Sequence, residues 1–204
     1  PNLFIPILLD ISMHLKKAME MFETLGLAEP KHDRSHWDLP SIAHHDQNKR
    51  YNRWVILIEL CRDVWQAAWK NDKNLANLIL ETWKNIRYPI FKRLVLHAYS
   101  IEGVVDPKIA LDYLLHHEEG WWLWAIETER EKYRLLNAIW PLLPQQNAEK
   151  LIDKIVIGPP REMYREDLTE EEWKNAHARS VWKTLSKLET FGRELNKKGR
   201  DVLR

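Results

Sequence analysis

The chain has 204 residues, of which 31 are Lys or Arg and 30 are Asp or Glu, so its formal net charge is +1. This balance excludes a broadly basic nucleic-acid-binding coat and an acidic tail. No apolar run reaches the roughly 18 residues that a membrane span needs, and the single cysteine excludes an internal disulfide and a multi-cysteine zinc site.

The counts of tryptophan and glycine narrow the fold class. Only 6 glycines are present, too few for a turn-rich all-β chain, whereas 11 residues are tryptophan. Such a tryptophan content indicates either a core built on indoles, which is the commoner case, or an aromatic binding surface. We therefore expect Trp65, Trp83 and Trp182 to be mostly buried.

Apolar residues recur at helical spacing along the first half of the chain. Residues 3–26 predict a helix that stops near Gly26, and residues 51–103 predict three further amphipathic helices separated by short breaks. Residues 28–50 are predicted to be an irregular loop with a short helical turn, because two prolines break any longer helix.

The loop contains a set of residues that could bind a metal on paper, namely His32, His36, His44, His45 and Asp46. Histidines four residues apart share a metal only when they lie on a helix, and zinc normally takes four ligands, or three and a water molecule. The favoured interpretation is a solvated polar loop, so no metal is assigned.

The second half of the chain also predicts helices. Asp106 and Pro107 have the residue types of an N-cap and a first helical position. Residues 120–140 predict a helix that starts in a tryptophan cluster, and a short helix follows over 147–157. Thr169 and Glu172 form a capping-box pattern that begins the last long helix.

These elements predict an all-α protein made of irregular antiparallel helix pairs. Successive helix centres lie about 17 residues apart, so one pair takes about 35 residues, close to the period of known two-helix repeats. A HEAT-like α-solenoid and a helical bundle both fit this spacing. We expect one helical domain over residues 1–204 of a cytoplasmic protein. Because the chain begins with proline, the simplest interpretation is a fragment of a longer protein, and a processed N-terminus is the alternative.

Catalytic chemistry has one candidate location, the run His116-His117-Glu118-Glu119. An enzyme with a His/Glu site there is an alternative to a binding function, although the H-E-x-x-H spacing is absent. Cys61, His97 and His177 fall on apolar helix faces and are predicted to be core or boundary residues. Glycine-rich phosphate-binding motifs are absent from the sequence, and no cofactor is expected.

A protein-interaction surface is predicted around the tryptophan cluster. Its candidate residues are Trp121, Trp122, Trp124, Arg130 and Arg134. Tryptophan and arginine are over-represented at interaction hot spots. The three indoles cannot all face the same way on one helix, so at least one of them is expected near the surface.

The same aromatic residues could stack nucleobases, which makes a nucleic-acid-binding helical repeat a second alternative. However, Glu127, Glu129 and Glu131 interleave with Arg130, Lys132 and Arg134. Mixed charge of this kind is typical of a solvated helix face, and a net charge near zero provides little counterion release. Nucleic acid is therefore not the expected partner.

Three stretches resemble a known class of protein. LANLILETWKNIRYPIFKRLVLHAYS (75–100), WLWAIETEREKYRLL (122–136) and KIVIGPPREMYR (154–165) are similar to helical-repeat regions of large bacterial STAND-type and sirtuin-like defence proteins. The resemblance covers about residues 54–190. It implies an α-solenoid segment that acts as a sensor or scaffold and contacts a target or a neighbouring subunit. It carries over no catalytic or nucleotide-binding residue, because those lie in other modules of such proteins.

Overall fold

The computed structural model describes residues 4–48 and 52–204. The described residues form an all-α fold with a single short two-stranded sheet, which confirms the predicted fold class. Contacts within the chain group its residues into two compact units, Pro1–Ala98 and Tyr99–Arg204. The single helical domain and the repeat arrangement stay predictions.

The first unit contains, in chain order, the elements α1 (Phe4–Thr24), β1 (Ala28–Glu29), β2 (His32–Asp33), α2 (Ser35–Asp38), α3 (Val55–Asn71), α4 (Lys73–Lys84) and α5 (Pro89–Tyr99). Only the last residue of α5, Tyr99, belongs to the second unit.

Amphipathic spacing accounts for α1. Leu8, Leu15 and Met19 are fully buried, and their separations of seven and four residues place them on one face. This face packs against α3. The predicted helix is therefore confirmed as far as Thr24, while residue 3 and the side chain of Phe4 lie outside the described part of the chain.

Buried polar groups fix the position of the segment that was predicted to be a loop, residues 28–50. Residues 49 and 50 of this segment lie outside the described part of the chain. β1 and β2 pair antiparallel, and α2 follows as a single helical turn. The carboxylate of Asp33 accepts hydrogen bonds from the backbone amides of Ser35 and Ile90, each 2.8 Å long. Satisfied in this way, a buried carboxylate can tie the segment to the start of α5.

The α5 helix is buried on all sides, although it carries basic residues. Arg93 is fully buried, and its guanidinium donates to Ser35 Oγ at 3.2 Å and to the Leu39 carbonyl oxygen at 2.7 Å. Lys92 Nζ donates to the carbonyl oxygen of Lys84 at 2.7 Å. These contacts place both basic side chains inside the first unit rather than on a solvated face.

The second unit contains the remaining elements. Its α-helices are α6 (Pro107–His116), α7 (Glu129–Ile139), α8 (Gln145–Ile157), α9 (Glu170–Glu189) and α10 (Lys197–Leu203). Short 3₁₀ helices lie at His117–Leu123, Ile126–Thr128, Trp140–Leu142 and Arg161–Met163. The α8 helix contacts α6, α9 and α10, so it lies at the centre of this unit's packing.

Capping residues begin two of these helices as predicted. The Asp106 side chain accepts a hydrogen bond from the Lys108 amide, with Pro107 at the first helical position. The capping box of α9 is complete, because Thr169 Oγ1 accepts from the Glu172 amide and the Glu172 carboxylate accepts from the Thr169 amide. Both interactions satisfy backbone donors that a helix start would otherwise leave free.

The predicted helix over residues 120–140 is a regular α-helix only from Glu129 onward. The preceding residues form 3₁₀ turns, and the prediction is wrong there. Glu118 and Glu119 have positive φ values of 49° and 60°, and Gly120 follows with 80°. Left-handed backbone at three successive residues stops a right-handed helix, so the chain turns sharply after α6.

Within the described residues, no helix combines the length and the apolar character that crossing a membrane requires.

Candidate functional site

The five residues of the predicted interaction surface differ in their exposure. Trp122 is fully buried, whereas Trp121 and Trp124 are half-buried and Arg130 and Arg134 are exposed. Trp122 belongs to the core of the second unit and is not accessible to a partner, which corrects its place in the predicted surface. The cause is local, because these tryptophans lie in a tight 3₁₀ turn and not on the face of a regular helix.

The His–Glu candidates at the end of α6 have separate partners. His116 Nδ1 lies 2.9 Å from Asp112 Oδ1, while the His117 ring stacks on Tyr113 with ring centroids 4.6 Å apart. His117 Nε2 lies 3.3 Å from Glu118 Oε1. The two histidine rings therefore contact different partners and do not form one shared site. An enzyme at this location stays a prediction.

The histidines of the predicted loop also have separate contacts. The ring centroids of His32 and His36 are 6.3 Å apart, His44 Nε2 lies 3.9 Å from Asp63 Oδ1, and His45 Nδ1 accepts from a nearby backbone amide. In the part of the chain that the structure describes, no three His, Cys, Asp or Glu side chains lie close enough together to hold a metal ion.

Cys61 and His97 are core residues, as predicted. Burial raises the pKa of the Cys61 thiol to about 12, although a hydrogen bond with Ser12 opposes the shift. At neutral pH such a thiol holds almost no thiolate, so Cys61 is not an activated nucleophile. His97 is 6% exposed, and its Nε2 lies 3.0 Å from Gln66 Nε2.

Trp182 is the clearest departure from the predicted core. Its side chain is 53% exposed, so the expectation that it is buried is wrong, whereas Trp65 and Trp83 are each 1% exposed as predicted. The indole lines a cavity of about 490 Å³, a size within the range of ligand pockets. The lining residues are Val156, His177, Ala178, Arg179, Val181, Trp182 and Val202.

Helical geometry explains why Trp182 is exposed. Val181, Leu185 and Leu188 of α9 are buried at the spacing of one helix face. Trp182 follows Val181 directly, and each helical residue turns the chain by about 100°, so its side chain leaves the core at the edge of that face. The α8 helix supplies Val156 and α10 supplies Val202, so three helices of one unit form the cavity.

The wall of the cavity beside His177 is closely packed. His177 Nε2 donates to the Ile157 carbonyl oxygen at 2.9 Å, and its ring lies 5.6 Å from the ring of Trp173. Gly158 follows Ile157 with a φ of +83°. This contact fixes the imidazole against the turn after α8, so the cavity has a preformed edge.

Arg179 provides a permanent positive charge at the cavity. Among the described residues, it takes part in no ion pair and in no side-chain hydrogen bond. Neighbouring lysines of the same helix differ, because Lys174 pairs with Glu170 and Lys183 pairs with Glu129. The cavity therefore combines apolar surface with one uncompensated cation.

A larger groove of about 660 Å³ lies on the first unit, between α1 and the residues that join α4 to α5. Its cations already have partners, because Lys16 lies 3.3 Å from Glu20 and Arg87 pairs with Glu23. The groove thus offers apolar surface without a charge that would select an occupant. The apolar residues of α1 that line it are Leu9 and Met13.

A buried lysine in the second unit was missed by sequence reasoning. Lys132 is 3% exposed, and its Nζ lies 4.2 Å from the centroid of the Tyr133 ring. Burial lowers the pKa of Lys132 to about 8, Glu129 opposes this shift and Lys183 adds to it. The solvated helix face predicted for this segment is therefore wrong for Lys132 and for the buried Glu127 and Glu131, although it holds for Arg130 and Arg134.

Comparison with known proteins provides no relative, since no family model, no curated protein and no solved structure matches the chain.

Proposed function

We propose that the chain is a non-catalytic interaction or sensor segment, and that a partner protein binds at the Trp182 cavity. The observation that carries this proposal is the exposure of Trp182 beside Arg179 in a preformed cavity. Tryptophan and arginine dominate interaction hot spots. An indole that is half exposed gains from being covered, because most of its surface is apolar.

We propose in addition that this segment is part of a larger protein. The resemblance to helical-repeat regions of large bacterial defence proteins supports a segment that contacts a target or a neighbouring subunit. If the helices form a repeat array, they present an extended surface suited to such contacts. The proposed segment has no catalytic residue, metal or cofactor, and it belongs to a protein of the bacterial cytoplasm.

Selection from a phage-displayed library of random peptides tests the proposed function. We expect peptides that bind the wild-type chain about tenfold more tightly than the Trp182→Ala variant, a difference of roughly 1.4 kcal/mol. Trp37→Ala is the matched control, because Trp37 is 69% exposed but lies in the other unit. Selected peptides that bind wild type and Trp182→Ala equally would contradict the proposal.

A further inference from the structure

We infer that the Trp182 cavity takes a partner segment that presents an apolar side chain next to a carboxylate. This inference rests on the proposed function, and it adds the chemistry of the group that binds. The apolar part of the cavity consists of Trp182, Val156, Val181 and Val202, which suits an aliphatic or aromatic side chain.

Arg179 supplies the charge selection. Its guanidinium offers a planar set of donors that matches a carboxylate in a bidentate arrangement. Two acidic side chains of the cavity's helices are already engaged, because Asp153 pairs with Lys198 and Asp201 lies 3.7 Å from Arg204. An acidic group from outside therefore finds in Arg179 a cation that no described acid neutralises.

The charge count favours a single carboxylate over nucleic acid. The neighbouring cations Lys174, Lys183 and Lys198 are each paired with an acid. A nucleic acid brings a row of phosphates and needs several free cations along its path. One free arginine beside an apolar cavity instead matches one acidic residue next to one apolar residue in a protein segment.

The packing around His177 supports a site that is formed before the partner arrives. The hydrogen bond to Ile157 and the close contact with Gly158 hold the imidazole in place. The Trp173 ring, which contacts His177, lies 5.9 Å from the guanidinium carbon of Arg161. A preformed site loses little conformational entropy when it binds, so a short segment can bind specifically.

Two fluorescent probes separate the apolar and the charged contributions. The first is 8-anilinonaphthalene-1-sulfonate, whose sulfonate stands in for the carboxylate, and the second is N-phenyl-1-naphthylamine, which lacks the sulfonate. We expect Trp182→Ala to lower the affinity for both probes about tenfold. Arg179→Gln should lower the affinity for the sulfonate probe by about the same factor and leave the affinity for the uncharged probe unchanged. Lys187→Gln, an exposed change elsewhere on α9, should alter neither, and circular dichroism checks that each variant is folded.

The outcomes distinguish the inference from the proposed function. If Trp182→Ala lowers the affinity for both probes but Arg179→Gln does not lower the affinity for the sulfonate probe, the cavity binds ligands without charge selection and the inference is wrong. If Trp182→Ala changes neither probe, the cavity is not a binding site and the proposed function fails with it. A selected peptide should displace the sulfonate probe, and replacing its acidic residue by the amide should raise the peptide concentration needed for displacement about tenfold. Sulfonate binding that no peptide displaces would point to a small anion and overturn the assignment to a protein segment.

Discussion

The His177 imidazole packs directly on the backbone of Gly158. A Cβ atom added to Gly158 would lie 2.1 Å from His177 Nε2, closer than real Cβ atoms approach other atoms. Gly158 also has φ +83° and ψ −179°, a combination that residues with a side chain rarely adopt. The backbone conformation therefore requires glycine at the edge of the Trp182 cavity, and an added Cβ would also force the His177 imidazole to move.

The first prediction concerns this contact. Gly158→Ala should lower the free energy of unfolding by about 3 kcal/mol, because the strained backbone is joined by the loss of the His177 hydrogen bond when the ring moves away from the new Cβ. Gly103→Ala is the matched control, since Gly103 has φ +77° but open space around its Cα. It should cost only the backbone term of about 1–2 kcal/mol. Urea denaturation measures both, and equal losses would mean that the His177 contact contributes nothing.

The second prediction compares three tryptophans. Trp65 Nε1 donates to the Ala76 carbonyl oxygen at 2.9 Å, and Trp83 Nε1 donates to Ser12 Oγ at 3.0 Å. Because both rings are buried, Trp65→Ala and Trp83→Ala should each cost about 3–5 kcal/mol in stability. Trp182→Ala should cost less than about 1 kcal/mol, as at other exposed sites. A large loss at Trp182 would show that its indole serves the core and not a partner.

The third prediction uses the buried Lys132. Burial lowers its pKa to about 8 in the folded state, against 10.5 for an unperturbed lysine. Between these values the unfolded chain binds more protons, so the free energy of unfolding should rise as pH increases from about 8 toward 10. Once Lys132 is deprotonated in both states, the free energy of unfolding should have risen by about 3 kcal/mol, because each pKa unit corresponds to about 1.4 kcal/mol.

Substitution isolates the contribution of Lys132. Lys132→Met should raise stability at pH 7 and should remove the increase between pH 8 and pH 10, because the buried charge is gone. Lys187→Met changes an exposed lysine of α9 and should shift stability by no more than about 0.5 kcal/mol. Parallel pH profiles for the wild type and Lys132→Met would show that Lys132 titrates as it does in water.

The fourth prediction concerns Arg93. Its guanidinium holds Ser35 and Leu39 in the segment before α3. Arg93→Met should destabilise the chain by about 2 kcal/mol, because buried acceptors lose a charged donor. Trypsin should then cut sooner after the exposed Arg34 in the same segment. Arg87→Met, at a side chain that is 58% exposed, is the control, and the same cleavage rate in both variants would contradict the role of Arg93.

Helix positions and caps were predictable from sequence, because they depend on local spacing and on residues next to one another. The capping box at Thr169 and the N-cap at Asp106 are examples. The turn at residues 118–120 was not predictable, because nothing in the residue types of Glu118 and Glu119 favours left-handed backbone. Tertiary packing overrides local preference there.

The candidate site was only partly visible in the sequence. The prediction for Trp182 used its residue type, whereas its position beside Val181 places it at the edge of the buried face. The burial of Lys132 did leave a signal, because it precedes buried Leu135, Leu136 and Ile139 at separations of three, four and seven residues. The cavity itself joins residues of α8, α9 and α10 that are far apart in sequence, and no local pattern encodes that meeting.

Fluorine NMR on protein labelled with 5-fluorotryptophan tests the central claim most directly. The chain has 11 tryptophans, and Trp182→Phe identifies the signal of Trp182 by its loss. When a selected acidic peptide is added, we predict that the Trp182 signal shifts while the signals of buried Trp65 and exposed Trp37 stay in place. A peptide that binds and shifts Trp37 but leaves Trp182 unchanged would contradict the claim that the Trp182 cavity is where a partner binds.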